Sequence, residues 1–244
     1  MTGLERTRNA DGVEVVRLNR PDSRNAMDTA TLDELLATLA ELAADADLRV
    51  VVFSTTSTRA LCAGADVAEQ LDRDGGIARM ERFARMYQAV VDLPVPTIAV
   101  CVGNVVGAGA ELAAACDLRV AGDNLKLAWA GAKLGVPVGP ARLVPLVGLA
   151  RAKELIYSGR VVGAEEAARI GLAERVAPEA EAEAAALELA ATLAARPAEG
   201  LRRLKRMFRD GEDLAGRTAR ENVTLLDWQR YGQGLPQGGA PTRD

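Results

Sequence analysis

The residues best placed for chemistry lie at positions 101–111 (CVGNVVGAGAE). A glycine-spaced turn there opens a helix, and Glu111 stands in that helix's first turn. Backbone N–H groups at a helix start lack an intrahelical acceptor and sit at the positive end of the dipole. They suit an anion, or a carbonyl oxygen that gains negative charge as it reacts. Glu111 follows Ala108 by three residues, which puts both on one helix face. An oxyanion donor beside a carboxylate is the smallest set of groups for acid/base chemistry next to a carbonyl. The chain contains 0 histidines, which excludes Ser-His and Cys-His nucleophile pairs and any histidine-ligated metal. Proton transfer therefore falls to carboxylates, Lys, Tyr, Cys or water. Cys62, Cys101 and Cys116 lack metal-ligand spacing, and their odd number suits a reduced cytoplasm.

The elements that must hold these groups read as alternating strands and helices, with strands expected at 13–18, 48–53, 97–102 and 117–121. Asp28 is a good N-cap for an amphipathic helix over 29–44, and Thr31 with Glu34 has capping-box spacing. Further helices are expected at 77–91, 107–115, 179–195 and 197–208, the last two separated by Pro197. The expected division is a core over 1–195, a helical region over 196–232 and a disordered tail over 233–244. At 244 residues and 49% hydrophobic content the chain can build a substantial core. A net charge of −4 offers no basic field for nucleic acid. No apolar run approaches the roughly 20 residues of a membrane span, and no signal peptide opens the chain, so the expected location is cytoplasmic, away from membranes.

Two nucleotide-related readings of the glycine turn separate on residue identity. A dinucleotide fingerprint would need a third glycine where Leu112 stands and an acidic residue about 20 positions on, and both are missing. The alternative rests on a second small-residue loop, ALCAGADV at 60–67. Two such loops offering one N–H each would form a two-donor oxyanion hole.

With both loops in hand, the chain resembles the crotonase superfamily, the enoyl-CoA hydratase/isomerase family. The likeness is carried in order by RPDSRNAM (20–27), ALCAGADV (60–67), VVGAGAELAAACDLRVA (105–121), KLGVPVGPARL (133–143) and SGRVVGAEEAARIGLAERV (158–176). It implies an α/β fold, the crotonase ββα spiral, with a helical C-terminal region that supports homotrimers or hexamers. It implies an acyl-CoA substrate and no cofactor beyond the coenzyme A thioester itself. By the same resemblance the oxyanion donors are the N–H groups of Ala65 and Ala108, and Glu111 is a catalytic carboxylate. Coenzyme A and acyl contacts fall on Arg24, Ala26, Met27, Ala63, Asp66, Val67, Gly107 and Gly131.

The family's second glutamate would stand at position 131, where this chain has glycine. Three readings follow. Glu111 alone handles both proton events; or Asp66, Glu69, Asp72, Asp74 or Glu81 substitutes; or acyl-CoA is bound for another enolate reaction or for none. Asp66 is also readable as a helix cap, Trp129 and Cys62 as core residues, and Trp228 with Tyr231 as subunit contact, pocket lid or core. The basic run Arg202, Arg203, Lys205, Arg206 and Arg209 reads as a solvated helix face, with a phosphate contact as the alternative. The expected activity is enoyl-CoA hydration, with isomerisation, decarboxylation, thioester hydrolysis or silent acyl-CoA binding as alternatives.

Overall fold

Three apolar runs that cannot turn either face to water set the main sheet, because strands covered on both sides belong to parallel sheets flanked by helices. A computed structural model describes residues 3–235. In chain order the elements are β1 (Leu4–Arg8), β2 (Val13–Leu18), α1 (Thr29–Ala44), β3 (Val50–Thr55), β4 (Ala60–Cys62), α2 (Arg73–Asp92), β5 (Thr97–Cys101), β6 (Asn104–Val106) and α3 (Ala108–Ala115). There follow β7 (Leu118–Gly122), β8 (Lys126–Ala128), α4 (Pro140–Val147), α5 (Leu149–Ser158), α6 (Ala164–Arg169), β9 (Arg175–Ala177), α7 (Ala182–Ala194), α8 (Ala198–Gly211) and α9 (Leu214–Tyr231).

The larger sheet has 6 strands in the order β1-β2-β3-β5-β7-β9, with β1 antiparallel to β2 and the other neighbours parallel. Its side chains alternate as the pleat requires. Val50, Val52, Ile98 and Val100 face α7, whose Ala182, Ala186, Ala190 and Ala194 form a buried stripe against the sheet. Val51, Phe53, Ala99 and Cys101 face the opposite side, toward the leucines of α1 and the apolar residues of α2 and α3. A second, parallel sheet of 3 strands, β4-β6-β8, stands beside the first. Sequence periodicity does not reveal it, because strands of three residues carry no repeat to detect. The windings β3-β4-α2, β5-β6-α3 and β7-β8-α4 each pass through both sheets before their helix, which is the ββα spiral.

Two capping expectations are corrected. Asp28 caps α1, accepting from Thr31 N at 2.8 Å, yet Glu34 leaves the capping box to accept from Gly3 N at 2.8 Å. Asp66 caps no helix: it accepts from Ala68 N at 3.1 Å and pairs with Arg20 at 3.1 Å, while Asp72 caps α2 through Gly75 N at 2.7 Å.

The C-terminal helices correct a third expectation. Rather than facing solvent as one basic surface, α8 turns three of its cations toward the body. Lys205 Nζ donates to the Val95 carbonyl and the Asp117 carboxylate, both at 2.8 Å, Arg202 donates to the Leu48 carbonyl at 2.9 Å, and Arg209 pairs with Asp92. Arg203 and Arg206 share Glu199 at the surface. Leu204, Met207 and Phe208 are left exposed. Helix α9 lies along α2, with Asn222 Nδ2 donating to the Ala84 carbonyl at 2.8 Å. Leu235, placed by sequence in a disordered tail, is buried and its N–H donates to Gln229 at 3.0 Å. The rest of that expected tail, 236–244, lies outside the described residues. No helix among the described residues is long and apolar enough to cross a membrane.

Lys205→Met would remove two charge-assisted hydrogen bonds from a buried site. It is expected to cost about 2–3 kcal/mol of stability, read as a lower urea midpoint at neutral pH.

Candidate active site

The small sheet places the two loops side by side. Strands β4 and β6 run parallel with Cys62 opposite Val105, so the chain leaves both at the same end, into 63–65 and into Gly107. Gly64 (φ 113°) and Gly107 (φ 54°) adopt backbone that favours glycine. The fit is close: a Cβ on Gly107 would lie 3.9 Å from Gly64 Cα, and one on Gly64 would lie 4.0 Å from Ala108 N. Gly109 packs tighter still, since a Cβ there would fall 2.2 Å from the Cys62 carbonyl oxygen.

This leaves two N–H groups without an acceptor. Met27 N donates to Gly64 O and Asp66 N to Met27 O, so the ladder skips Ala65, whose N–H bonds to nothing among the described residues. Ala108 is the first residue of α3, and its N–H is likewise unengaged, whereas Gly107 N donates to Ala128 O. Position 108 lies inside the helix, so an alanine fits there without strain. Ala65 and Ala108 both line a cavity of about 210 Å³. Its walls are apolar: Val67, Met80, Phe83 and Tyr87 on one side, Leu134, Val136 and Val138 on another, with Leu225 and Leu235 closing it from the C-terminal end.

Glu111 sits one turn behind Ala108 and is fully buried. Its Oε2 accepts from Arg142 Nε at 2.8 Å and faces Nη2 at 2.7 Å. The same Nη2 reaches Glu221 Oε1 on α9 at 2.6 Å, and the guanidinium carbon lies 4.6 Å above the Tyr87 ring centroid. Glu111 Oε1 has no hydrogen-bond partner, and the buried indole N–H of Trp129 stands near the carboxylate without completing a bond. Burial pushes the Glu111 carboxyl up to about 7 against the pull of Arg142, and the charge of Glu221 adds to the rise. Val138 lines the cavity while its neighbour Gly139 lies against Glu111, where a Cβ would be 3.2 Å from Oε1. Glu111 itself does not line the cavity, and the residue against its free oxygen is the chain neighbour of one that does.

Of the residues singled out by sequence, the cavity gathers Ala63, Ala65, Val67, Gly107, Ala108 and Gly131. Arg24, Ala26, Met27 and Asp66 lie outside it. Arg24 is exposed and its carbonyl receives Ala63 N at 3.0 Å; the Ala26 carbonyl receives the Arg20 guanidinium; Met27 is a core side chain; Asp66 holds Arg20. None of the five carboxylates considered as substitutes at position 131 lines the cavity. Glu69 pairs with Arg79, Glu81 with Arg230, and Asp72 caps α2. Beside Gly131 the side chains are apolar: a Cβ there would lie 3.4 Å from Val138 Cγ1 and 3.5 Å from Val136 Cβ, with the Val136 carbonyl oxygen at 3.2 Å. Cys62 is buried, and burial pushes its thiol up to about 12, which suits an inert core residue.

Comparison with known proteins gives the family. A profile described as "Enoyl-CoA hydratase/isomerase" matches residues 8–226. The chain belongs to the enoyl-CoA hydratase/isomerase family. It is 36% identical over 229 residues to YngF of Bacillus subtilis (strain 168), whose name places it among the enoyl-CoA hydratases/isomerases; the match covers 91% of this chain and 86% of that protein. It is 33% identical over 187 residues to the short-chain-enoyl-CoA hydratase of Clostridium acetobutylicum, covering 73% and 70% of the two chains. The crystal structure of enoyl-CoA hydratase from Bacillus anthracis superposes with a TM-score of 0.82 at 29% identity, covering 97% of this chain and 100% of that one. The fold is therefore the crotonase fold, and the chain is an enzyme of the family's acyl-CoA type.

Within the enoyl-CoA hydratase/isomerase family frame, the residues that sequence reasoning missed are Arg142, Glu221 and Tyr87. Arg142 lies inside the KLGVPVGPARL segment and Glu221 inside ENVTLLDWQRYGQG, but neither spacing ties them to Glu111. Trp228 is partly buried against the core and Tyr231 is exposed. Among the described residues no cluster of three or more Cys, Asp or Glu is arranged to hold a metal ion.

The contact between α3 and β4 at Gly109 should govern both donors. Gly109→Ala is expected to cost about 1–3 kcal/mol and to weaken acyl-CoA binding, read by thermal unfolding and by calorimetric titration.

Proposed function

We propose that the protein is an acyl-CoA enzyme of the enoyl-CoA hydratase type. The observation that carries this reading is the pair of residues with unengaged N–H groups, Ala65 and Ala108, lining one apolar cavity near a carboxyl that burial holds at about 7. The thioester carbonyl oxygen would accept from both N–H groups. Glu111 would take a proton from water as the hydroxyl adds to the β-carbon, and the displaced electron pair would rest on the thioester oxygen as an enolate. Glu111 would then return its proton to the α-carbon, so that one carboxylate completes a syn addition. A carboxyl group whose pKa lies near ambient pH suits both halves of that cycle.

One observation favours a second reading. Gly131, where the family's second glutamate would stand, is bordered by Val136 and Val138 and offers no side chain to orient water. An enolate reaction that adds no water, such as double-bond isomerisation or decarboxylation, needs no such group.

Crotonyl-CoA, followed by loss of enoyl-thioester absorbance, separates the two. Hydration is expected, and Glu111→Gln is expected to lower kcat/KM by about 10²–10⁴-fold. Because the base must be unprotonated, kcat/KM should rise with pH through an inflection near about 7. Exchange of α-carbon hydrogen with solvent deuterium without hydration would select the second reading. Tight acyl-CoA binding that is indifferent to Glu111→Gln, with no turnover, would point to a silent binding protein.

We also propose self-association, supported by the outward-facing Leu204, Met207 and Phe208 of α8. Light scattering should show a trimer or hexamer, and Phe208→Glu should dissociate it. A wild-type monomer would refute this.

A further inference from the structure

Four helices meet at the Glu111 carboxylate. Helix α3 carries it, α4 brings Arg142, α2 brings Tyr87 under the guanidinium, and α9 brings Glu221. One cation thus serves two carboxylates, and the sharing is uneven. Both oxygens of Glu221 are engaged, Oε1 by Arg142 Nη2 at 2.6 Å and Oε2 by Ala141 N at 2.8 Å in the first turn of α4. Glu111 uses only Oε2, and Arg142 Nη1 has no partner. The guanidinium therefore has a donor in reserve, and the carboxylate has an oxygen in reserve.

A guanidinium alone with one carboxylate stabilises the anion and weakens it as a base. A second carboxylate on the same guanidinium opposes that effect. We propose that Glu221 is a positioning residue: it engages Arg142 so that the guanidinium does not neutralise Glu111 alone, and Glu111 thereby remains a competent proton acceptor. This assignment rests on reading Glu111 as the acid/base group of the site.

The other groups packed against α3 leave this control to Glu221. From α2 comes Tyr87, whose hydroxyl burial raises well above its usual range; from β4 and β5 come Cys62 and Cys101, whose thiols burial pushes up to about 12. Strand β6 brings no titratable side chain. At the far end of α3, Arg119 is held by the Ala113 and Cys116 carbonyls and by Glu174.

The test is the pH dependence of kcat/KM for crotonyl-CoA in wild type, Glu221→Gln and Glu221→Asp. In Glu221→Gln the inflection should move to lower pH by about 1–3 pH units. Its kcat should fall about tenfold because the base is weaker, with KM changed less than about twofold. Glu221→Asp, which keeps the charge on a shorter arm, should fall between the two. A residue that only supported the fold would lower the melting temperature and leave the inflection in place, and that result overturns the proposal. If Glu221→Gln does not fold, Glu221→Asp decides: an inflection moved downward supports the assignment, and an unmoved one overturns it.

Infrared titration of the protonated-carboxyl stretch supplies a readout that needs no turnover. Wild type should show a carboxyl titrating near neutrality, absent in Glu111→Gln and moved downward in Glu221→Gln. That pattern in a protein inactive on every enoyl-CoA would retain the role of Glu221 and discard hydration. Turnover with an unmoved midpoint would retain hydration and discard the role of Glu221.

Discussion

Arg142 holds carboxylates from distant parts of the chain, Glu111 on α3 and Glu221 on α9, where neither the guanidinium nor Glu111 has solvent-accessible side-chain surface. Such burial is expensive unless every charge finds a partner, and removing one partner of a buried pair typically costs about 3–5 kcal/mol. The network therefore fixes α2, α3, α4 and α9 relative to one another. Helix α9 is fastened to α2 by further contacts, among them the Arg230–Glu81 pair at 2.6 Å. Leu225 and Leu235, which close the cavity, belong to α9 and the segment just beyond it. The placement of Glu111 and of the cavity's outer wall thus depends on the same buried charges.

That network is left incomplete on one side. Glu111 Oε1, Arg142 Nη1 and Trp129 Nε1 are buried without a hydrogen-bond partner in the protein. Each such atom costs about 1–3 kcal/mol. A core selected only for stability would satisfy or remove these atoms, and it is at functional sites that folds commonly tolerate them. The same trade shapes the backbone nearby. Gly64 and Gly107 sit in left-handed or neighbouring conformations, and Gly109 touches the Cys62 carbonyl, so that two N–H groups face one space. Unpaired donors are tolerable there because one is a helix-terminal group with no intrahelical partner in any case.

What the sequence made legible follows from the range of the interactions involved. Helix α1 runs over the expected residues because Asp28 and the leucine spacing are local signals. The buried strands declared themselves through continuous valine runs, and the two small-residue loops through glycine spacing and the order of motifs. The basic run on α8 was misleading for a physical reason. Charge at helical spacing implies a wet face only when no acceptor waits opposite, and here Asp117 and the carbonyls of Val95 and Leu48 wait opposite. Arg142 and Glu221 stayed hidden because a charge's partner across a fold leaves no trace in local pattern. Asp66 looked like a cap because its residue type is right, but the helix it would cap begins later, at Arg73.

The glycine at position 131 gains meaning from this arrangement. Two glutamates facing one reacting bond can divide the work, one ionised and one protonated, because like charges close together push their pKa values apart. In the proposed role Glu111 has no such partner, so its environment must set its proton affinity between two failures. Desolvation alone would leave Glu111 protonated and useless as a base. Arg142 alone would hold it ionised and reluctant to accept a proton. Desolvation and Glu221 on one side and Arg142 on the other leave the carboxyl at about 7. A like-charge neighbour stands on α9, on the far side of Arg142, and in the proposed role it adjusts Glu111 from there.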